Sequence, residues 1–305
     1  MKVSIVLPVY NEELVIKQAV ERVIATCKEL NFEIIVVDDG SNDQTLNTIK
    51  NLREIYSEVK FLSFSRNFGH QNALRAGIEH AIGDCIITMD ADLQHPPELI
   101  LEMIELWQKG NQIVYTVRDD EENGAGFKKL TSALFYSMQN KLSDVKIQKG
   151  AADFRLIDRS VADLVKSSSE HDLFLRGFFS WVGFKQHKLT YKPNKRAGGE
   201  TKYSFKKMFN LALSGITSFS VRPLRLSIVL GLICSLFAFS YLLYVVLVYF
   251  FTDQAVSGWA SVIASVLLIG GIQLMVLGII GEYLGKMFIQ TKQRPPYLIK
   301  EKALD

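Results

Sequence analysis

Two uncharged stretches near the C-terminus constrain this chain more than anything else in it. Residues 226–252 (LSIVLGLICSLFAFSYLLYVVLVYFFT) and 254–281 contain no Asp, Glu, Lys or Arg. Both exceed the roughly 20 apolar residues that a bilayer core demands, and two such lengths in succession argue against helices buried in a soluble core. With so short a linker they predict a hairpin of two spans, about 226–251 and 257–281, whose outer ends emerge on one side. Lys206, Lys207, Arg222 and Arg225 precede the first span and Lys286, Lys292, Arg294, Lys300 and Lys302 follow the second, whereas the linker carries only Asp253. Positive charge marks the cytoplasmic side, so residues 1–202 form a cytoplasmic domain on the cell inner (plasma) membrane and 286–305 a cytoplasmic tail, with 222–285 as a multi-pass hairpin. Residues 203–221 mix basic and apolar side chains, as in an amphipathic helix at the headgroups; a helix packed on the soluble domain is the plainer alternative. The first apolar run, 3–9, is too short for a signal peptide and meets Asn11, Glu12 and Glu13 at once.

The 305-residue chain has a formal charge of +3, and its Lys and Arg are scattered without interleaved aromatics, which leaves no footing for a nucleic-acid partner. Cys27, Cys85 and Cys234 form no C-x-x-C pair, against structural zinc or a disulfide framework.

Before the hairpin, short runs rich in Val and Ile (3–7, 33–37, 60–64, 85–89 and the more amphipathic 112–117) alternate with helical spacing at 12–30, 43–56, 71–82 and 97–109. Such alternation predicts βαβ units and an α/β fold: a Rossmann-like, mainly parallel sheet covered by helices. Asn42 or Ser41 is placed to cap the second helix. Residues 127–142 resume as a helix, 153–157 and 184–191 read as further strands with a helix at 173–181 between them, and 193–199 is a basic, Gly-rich loop.

Ligands of open parallel sheets bind beyond the carboxyl ends of the strands. Polar clusters stand at those ends here: Pro8, Tyr10, Asn11 and Glu12; Asp38, Asp39, Gly40 and Ser41; Ser65, Arg66, Asn67 and Gly69; and Asp90 through His95. They predict a nucleotide-sized site, yet neither G-x-G-x-x-G nor G-x-x-x-x-G-K-[ST] occurs to cradle phosphates. Asp90, Asp92 and Gln94 alternate along extended backbone and share a side. Paired carboxylates and an amide oxygen are hard ligands suited to Mg²⁺ or Mn²⁺ bridging a diphosphate. An isolated D-x-D is usually a solvated turn; its strand-end position beside Asp38 and Asp39 favours the metal. His95 could touch metal or diphosphate, but no second His stands at zinc-ligand spacing. His70, His80, His171 and His187 read as solvated or locally hydrogen-bonded.

The segments VLPVYNE (6–12), VDDGS (37–41), FSRNFG (64–69) and DADLQHP (90–96) together resemble the family-two glycosyltransferases with the A-type (GT-A) fold. Downstream, DFRL (153–156), SWVG (180–183), RAGGETK (196–202), GITSFS (215–220) and GEYLG (281–285) resemble the branch that charges polyprenyl phosphate. The match is nearest to the bactoprenol (undecaprenyl-phosphate) glucosyltransferase group, relatives of dolichyl-phosphate mannose synthase, and runs over nearly the whole chain. The resemblance implies that Pro8, Tyr10, Glu12, Asp38 and Asp39 hold the nucleoside. It gives Asp90, Asp92 and Gln94 to the sugar nucleotide and its divalent metal, with Arg196 and Lys202 closing over the diphosphate. Arg118 falls where relatives keep a cation for the acceptor phosphate. Here acidic residues 119–122 follow it instead of a basic stretch, so Lys128 or Lys129 shares that role. Ala152 precedes Asp153 where close relatives often have Gly.

The implied reaction is inverting transfer of a hexose, glucose from UDP-glucose, to undecaprenyl phosphate, giving a lipid-linked sugar for surface glycan modification. N-acetylglucosamine, mannose from GDP-mannose or an aminosugar are alternatives, and a non-catalytic nucleotide-binding membrane subunit is an alternative from another class. A processive synthase would carry more spans and Q-x-x-R-W, which does not occur. The implied partners are a sugar nucleotide, the polyprenyl phosphate, membrane lipid and further copies of the chain. The acceptor phosphate has a second pKa of about 6 and attacks already ionised. Asp153 is therefore expected to orient acceptor, donor or a nearby cation; pairing with Arg155 or another cation at the sheet edge is its structural alternative. Phe174, Phe178, Phe179 and Trp181 either floor the acceptor site or pack in the core.

Overall fold

The computed structural model describes residues 1–119, 151–192, 220–251 and 258–305. The expected helix at 127–142, the basic loop with Arg196 and Lys202, Lys128 and Lys129, and nearly all of the amphipathic segment lie outside the described residues.

The expected alternation is present: β1 (Lys2–Val9), α1 (Ile16–Cys27), β2 (Asn31–Asp38), α2 (Thr45–Ile55), β3 (Val59–Phe64), α3 (His70–His80), β4 (Cys85–Thr88), α4 (Leu99–Gln108) and β5 (Ile113–Arg118). After the gap come β6 (Ala151–Asp158), α5 (Arg159–Ser167), α6 (Leu175–Trp181) and β7 (Gln186–Tyr191), then two long helices, α7 (Arg222–Phe251) and α8 (Trp259–Thr291), and finally β8 (Ile299–Ala303). The eight strands form one sheet in the order β7-β5-β6-β4-β1-β2-β3-β8. Strands β4, β1, β2 and β3 run parallel; β6 is antiparallel to both β4 and β5, and β8 to β3.

The central strands are apolar on both faces because both are covered, which is why they read as runs and not as alternations. Ile5, Leu7, Ile34 and Val36 face α1, α2 and α4 through Ile16, Val20, Ile49 and Ile100. On the other face Val6, Ile35 and Val37 pack with Leu74 of α3, Val161 of α5 and Phe178 of α6. Phe178 and Phe179 are thus core residues, while Trp181 is exposed. Gly77 lets α3 lie directly on β1: a Cβ there would come within 2.1 Å of Val6 Cγ1.

Chain order reverses beside β1, with β2 and β3 on one side and β4 on the other. The β1/β4 ladder covers only Val3–Val6, whereas β1 stays paired with β2 as far as Val9. The two strands therefore part below Pro8, whose missing N–H costs no bond on the open side. A crevice at such a switch point is where α/β sheets receive ligands.

Two local expectations are corrected. Neither Asn42 nor Ser41 caps α2, which begins at Thr45 with Asp43 Oδ1 accepting from the Thr45 amide at 3.0 Å. Ser41 Oγ instead accepts from the Asn11 amide and the Asn42 amide donates to Asn11 Oδ1, both at 2.9 Å, so this pair ties the β1 loop to the β2 loop. The C-terminal residues do not simply trail away: β8 adds an edge strand to β3, with Phe61 opposite Ala303 and Phe64 opposite Ile299.

Helices α7 and α8 each hold a stretch long and apolar enough to cross a membrane, Arg222–Tyr244 and Leu268–Thr291, and neither stretch is buried by the rest of the chain. Exposed Leu232, Phe237 and Leu274 are what lipid, not water, would cover. Helix α8 outlasts the uncharged stretch and meets the α/β domain. There Gln290 Oε1 accepts from the His171 amide at 2.8 Å and its Nε2 donates to the Ser169 carbonyl at 2.7 Å.

Candidate active site

The loops after β1, β2, β3 and β4 and the first residues of β6 meet at the crevice. Asp38 and Asp39 are nearly fully buried, and protein donors occupy both. Asp38 Oδ1 accepts from the Ser41 amide at 3.0 Å and Oδ2 from Ser63 Oγ at 2.8 Å. Asp39 Oδ1 accepts from the Phe68 amide at 2.6 Å and Oδ2 from the Gly69 amide at 2.9 Å. Burial pushes the Asp39 carboxyl above its ordinary pKa, and those two amides only partly offset it. The pair clamps the β2 and β3 loops together. Gly40 between the loops has φ +71°, and a Cβ on it would lie 2.4 Å from the Arg66 carbonyl carbon. Gly40→Ala should therefore cost about 1–3 kcal/mol, read as a lower unfolding midpoint; an unchanged midpoint would mean the loops are not clamped. Tyr10, Asp38, Ser41, Asn42, Arg66 and Lys300 line a cleft of about 280 Å³ beside this clamp. Pro8 is buried near the end of β1, and the Glu12 amide donates to Thr45 Oγ1 at 2.9 Å.

Across the crevice, Asp90 Oδ1 is 2.8 Å from His70 Nε2, and His70 Nδ1 is 3.9 Å from Asp153 Oδ2. His70 thus bridges the D-x-D loop and β6. Its reading as a solvated or locally satisfied His is corrected, because α3 starts at this residue and delivers the ring to the rim. Partial loss of water disfavours its charge, yet the hydrogen bond to Asp90 and the charges of Asp90 and Asp153 bring its pKa up to about 8. Burial works against ionising Asp90 too, but His70 holds it well below the usual carboxylate range. Asp92 Oδ1 accepts from the Gln94 amide at 3.1 Å, and its Oδ2 has no partner among the described residues.

Asp153 pairs with Arg176 of α6, not Arg155. Nε and Nη2 of Arg176 donate to Oδ1 and Oδ2 at 2.7 Å each, a bidentate fork. Burial would raise the Asp153 carboxyl, but the charge and hydrogen bonds of Arg176 together with the charge of His70 outweigh it and hold the group below its ordinary range. The Arg155 guanidinium lies 4.8 Å over the Phe179 ring and donates to the Ala152 carbonyl at 3.2 Å. No sequence spacing announced Arg176; it is 23 residues from its partner, in a segment that reads as ordinary amphipathic helix.

His95 is buried, stacked on Phe154 at 5.2 Å, and its Nδ1 accepts from the Asp90 amide at 3.4 Å. Burial lowers its pKa and keeps it neutral, so it braces the acidic loop from behind. Arg118 reaches the same place: its Nη2 is 3.5 Å from His95 Nε2 and its Nε donates to Tyr191 Oη at 3.3 Å.

The donor chemistry of Asp90 and Asp92 fits a hard divalent cation. Among the described residues no three His, Cys, Asp or Glu side chains converge into a closed cage. An open carboxylate set in which Asp92 Oδ2 has no partner among the described residues suits an ion held by one or two carboxylates and completed by substrate phosphates.

Residues 4–165 match the profile of Glycosyl transferase family 2 and residues 222–287 that of the GtrB C-terminal hairpin. The chain is 46% identical over 301 residues to the glycosyltransferase YkcC of Bacillus subtilis (strain 168), covering 98% of this chain and 93% of that one. It is 42% identical to the prophage bactoprenol glucosyl transferase homolog of Escherichia coli (strain K12), over 98% of this chain and 99% of the relative. To the bactoprenol glucosyl transferase of Shigella phage SfX it is 40% identical, over 99% and 100%. Among solved structures, the mannosyltransferase PcManGT from Pyrobaculum calidifontis, in complex with GDP-Man and Mn²⁺, superposes with a TM-score of 0.51 at 16% identity, covering 71% of this chain and 63% of that one. That likeness confirms the GT-A sheet. A switch-point crevice with an acidic rim, a sheet of this topology and full-length relatives converge: the chain belongs to glycosyl transferase family 2 and carries that family's GtrB-type C-terminal hairpin.

Proposed function

We propose that this protein transfers glucose from UDP-glucose to a polyprenyl phosphate at the cytoplasmic face of the cell membrane, with inversion. The observation that carries the reading is the join between an acidic, cation-ready rim and a pair of lipid-exposed helices, the second of which docks on the α/β domain through Gln290. Relatives named for bactoprenol glucosyl transfer, alike over nearly the full length, support glucose and a polyprenyl acceptor. PcManGT, holding GDP-Man and Mn²⁺ on a similar sheet, supports a sugar nucleotide and a divalent ion.

In this reading the nucleoside occupies the cleft lined by Tyr10, Asp38, Ser41 and Asn42, while Asp39 holds the loop after β3 through the Phe68 and Gly69 amides. Asp92 and Asp90, with Gln94, hold Mg²⁺ or Mn²⁺. When bound, the ion neutralises charge growing on the departing diphosphate. Arg196 and Lys202 join from the basic loop. Arg118, with Lys128 and Lys129, receives the acceptor phosphate. That phosphate is ionised at neutral pH and needs little proton removal, and Asp153 has both oxygens engaged by Arg176. Asp153 therefore positions Arg176 and His70 around the reacting groups.

The test uses the full chain in vesicles containing undecaprenyl phosphate, offered radiolabelled UDP-glucose, UDP-N-acetylglucosamine and GDP-mannose in turn. Label should enter the lipid extract from UDP-glucose, with UDP release requiring both the divalent ion and the lipid phosphate. Labelled lipid from another donor alone would replace glucose. No labelled lipid from any donor would end the reading.

A further inference from the structure

A second cavity, of about 520 Å³, lies where α8 leaves the membrane-spanning stretch and meets the α/β domain. Its cationic lining comes from two unconnected parts of the chain: Lys292 and Arg294 follow α8, and Arg66 belongs to the loop after β3. Asp172 is the lone carboxylate of the lining among the described residues, and His171 Nδ1 lies 2.9 Å from it. Basic residues at the cytoplasmic end of a span are ordinary. Arg66 is not explained that way, since it lines the same space from the loop after β3, its guanidinium over the Phe68 ring at 4.0 Å. Phe288, 60% exposed, and Ile289, 42% exposed, extend the lining along the helix as an apolar track. Cations above and an apolar track below match one kind of ligand: an amphiphile with a phosphate head group.

The walls are well fixed. The Ser65 amide donates to the Leu298 carbonyl at 2.9 Å, Tyr297 stacks on Phe64 at 5.0 Å, and the Tyr297 hydroxyl bonds Glu79. The lining includes none of Asp90, Asp92 or Asp153, so a phosphate held here is not in contact with the reacting rim. It does share Arg66 and Asn67 with the smaller cleft, and the neighbouring Phe68 and Gly69 amides hold Asp39.

We propose that this cavity is a resident site for the head group of an anionic membrane phospholipid, distinct from the acceptor, and that its occupancy steadies the loop after β3 and tightens sugar-nucleotide binding. The effect on donor affinity rests on the transfer reading above; the site itself does not.

The full-length protein is reconstituted in phosphatidylcholine vesicles, with and without phosphatidylglycerol, at fixed acceptor. Donor KM for wild type should fall several-fold when phosphatidylglycerol is present, since each cation beside an anionic lipid is worth roughly fivefold. The Lys292→Ala/Arg294→Ala variant should keep wild-type kinetics in phosphatidylcholine and lose that fall. Arg225→Ala, which removes a cation at the start of α7 and outside the cavity, should keep it. Native mass spectrometry provides a readout independent of turnover: phosphatidylglycerol should remain bound to wild type and Arg225→Ala but not to the double variant. Equal lipid binding by all three proteins, or equal loss in Arg225→Ala, overturns the proposal in favour of diffuse attraction. A raised acceptor KM for the double variant in phosphatidylcholine overturns it in favour of an acceptor site, and reproduction of the effect by inorganic phosphate overturns the lipid. Were no transfer seen in any vesicle, the proposed function would fall while the lipid-binding measurement still decided the site.

Discussion

Asp92→Asn is expected to lower turnover roughly 10²–10³-fold at saturating donor, the scale of removing one preorganised group from a centre where charge develops, while leaving the unfolding midpoint unchanged. The two halves of the expectation have separate causes. Oδ1 of Asp92 serves the fold by accepting from the Gln94 amide, and the Asn oxygen can take over that bond. Oδ2 has no hydrogen-bond donor among the described residues, so a ligand is what the substitution is expected to affect most. Binding of Mn²⁺ in the presence of UDP, followed by electron paramagnetic resonance, should weaken in parallel with turnover. Full activity with normal Mn²⁺ affinity would remove Asp92 from the metal's coordination. Asp90→Asn differs because it also strips His70 of its partner at 2.8 Å, so its loss of activity should come with a change in stability.

Arg176→Ala should be the most damaging single change to stability in the crevice, costing about 3–5 kcal/mol at pH 7, because it strands a buried carboxylate. The pair is asymmetric: the Asp153 side chain is 8% exposed and that of Arg176 30%. Asp153→Asn leaves a cation that can turn towards water and should cost clearly less. The pH dependence follows from the sign of the shift. Asp153 is held below its ordinary range in the folded protein, so its contribution is present above the unfolded pKa of about 3.9 and fades as pH falls through the lower folded value. Without Arg176, burial is opposed by the weaker effect of His70, so Asp153 should protonate more easily. The penalty of Arg176→Ala is therefore full at neutral pH and shrinks as acid protonates the stranded group. Chemical unfolding at pH 7 and pH 4 measures this. A cost that is the same at both, or smaller than that of Asp153→Asn, would show that the fork does not govern the stability of this crevice. Arg176→Lys, which keeps the charge but not the fork, should recover part of the stability and little of the turnover.

Much of the architecture is legible without coordinates because its signals are local. Val3, Ile5 and Leu7 alternate with residues that are also buried, so β1 appears as an apolar run. The helical spacing of Ile16, Val20 and Val23 is likewise contained in a single segment. The hairpin shows in hydropathy alone. Edge strand β8 does not: IKEKA carries three charges in a row, Lys300, Glu301 and Lys302, and nothing in it names β3, far back in the chain, as a partner. Helix α8 likewise runs past the point where Glu282 and Lys286 end the uncharged stretch, since backbone hydrogen bonds are indifferent to that change.

The rim divides the same way. By itself the sequence determined that carboxylates gather at the ends of parallel strands beside a membrane hairpin, because strand ends and hydropathy are read from neighbouring residues. Tertiary structure alone decided which carboxylates the protein uses itself. Asp38 and Asp39 are occupied by the loops they clamp, Asp153 by an arginine from a different helix, and Asp90 by the first residue of α3, while Asp92 Oδ2 has no partner among the described residues. Hydrogen-bond partners are chosen by distance in space, and in this crevice every decisive partner of Asp90 and Asp153 comes from a distant part of the chain.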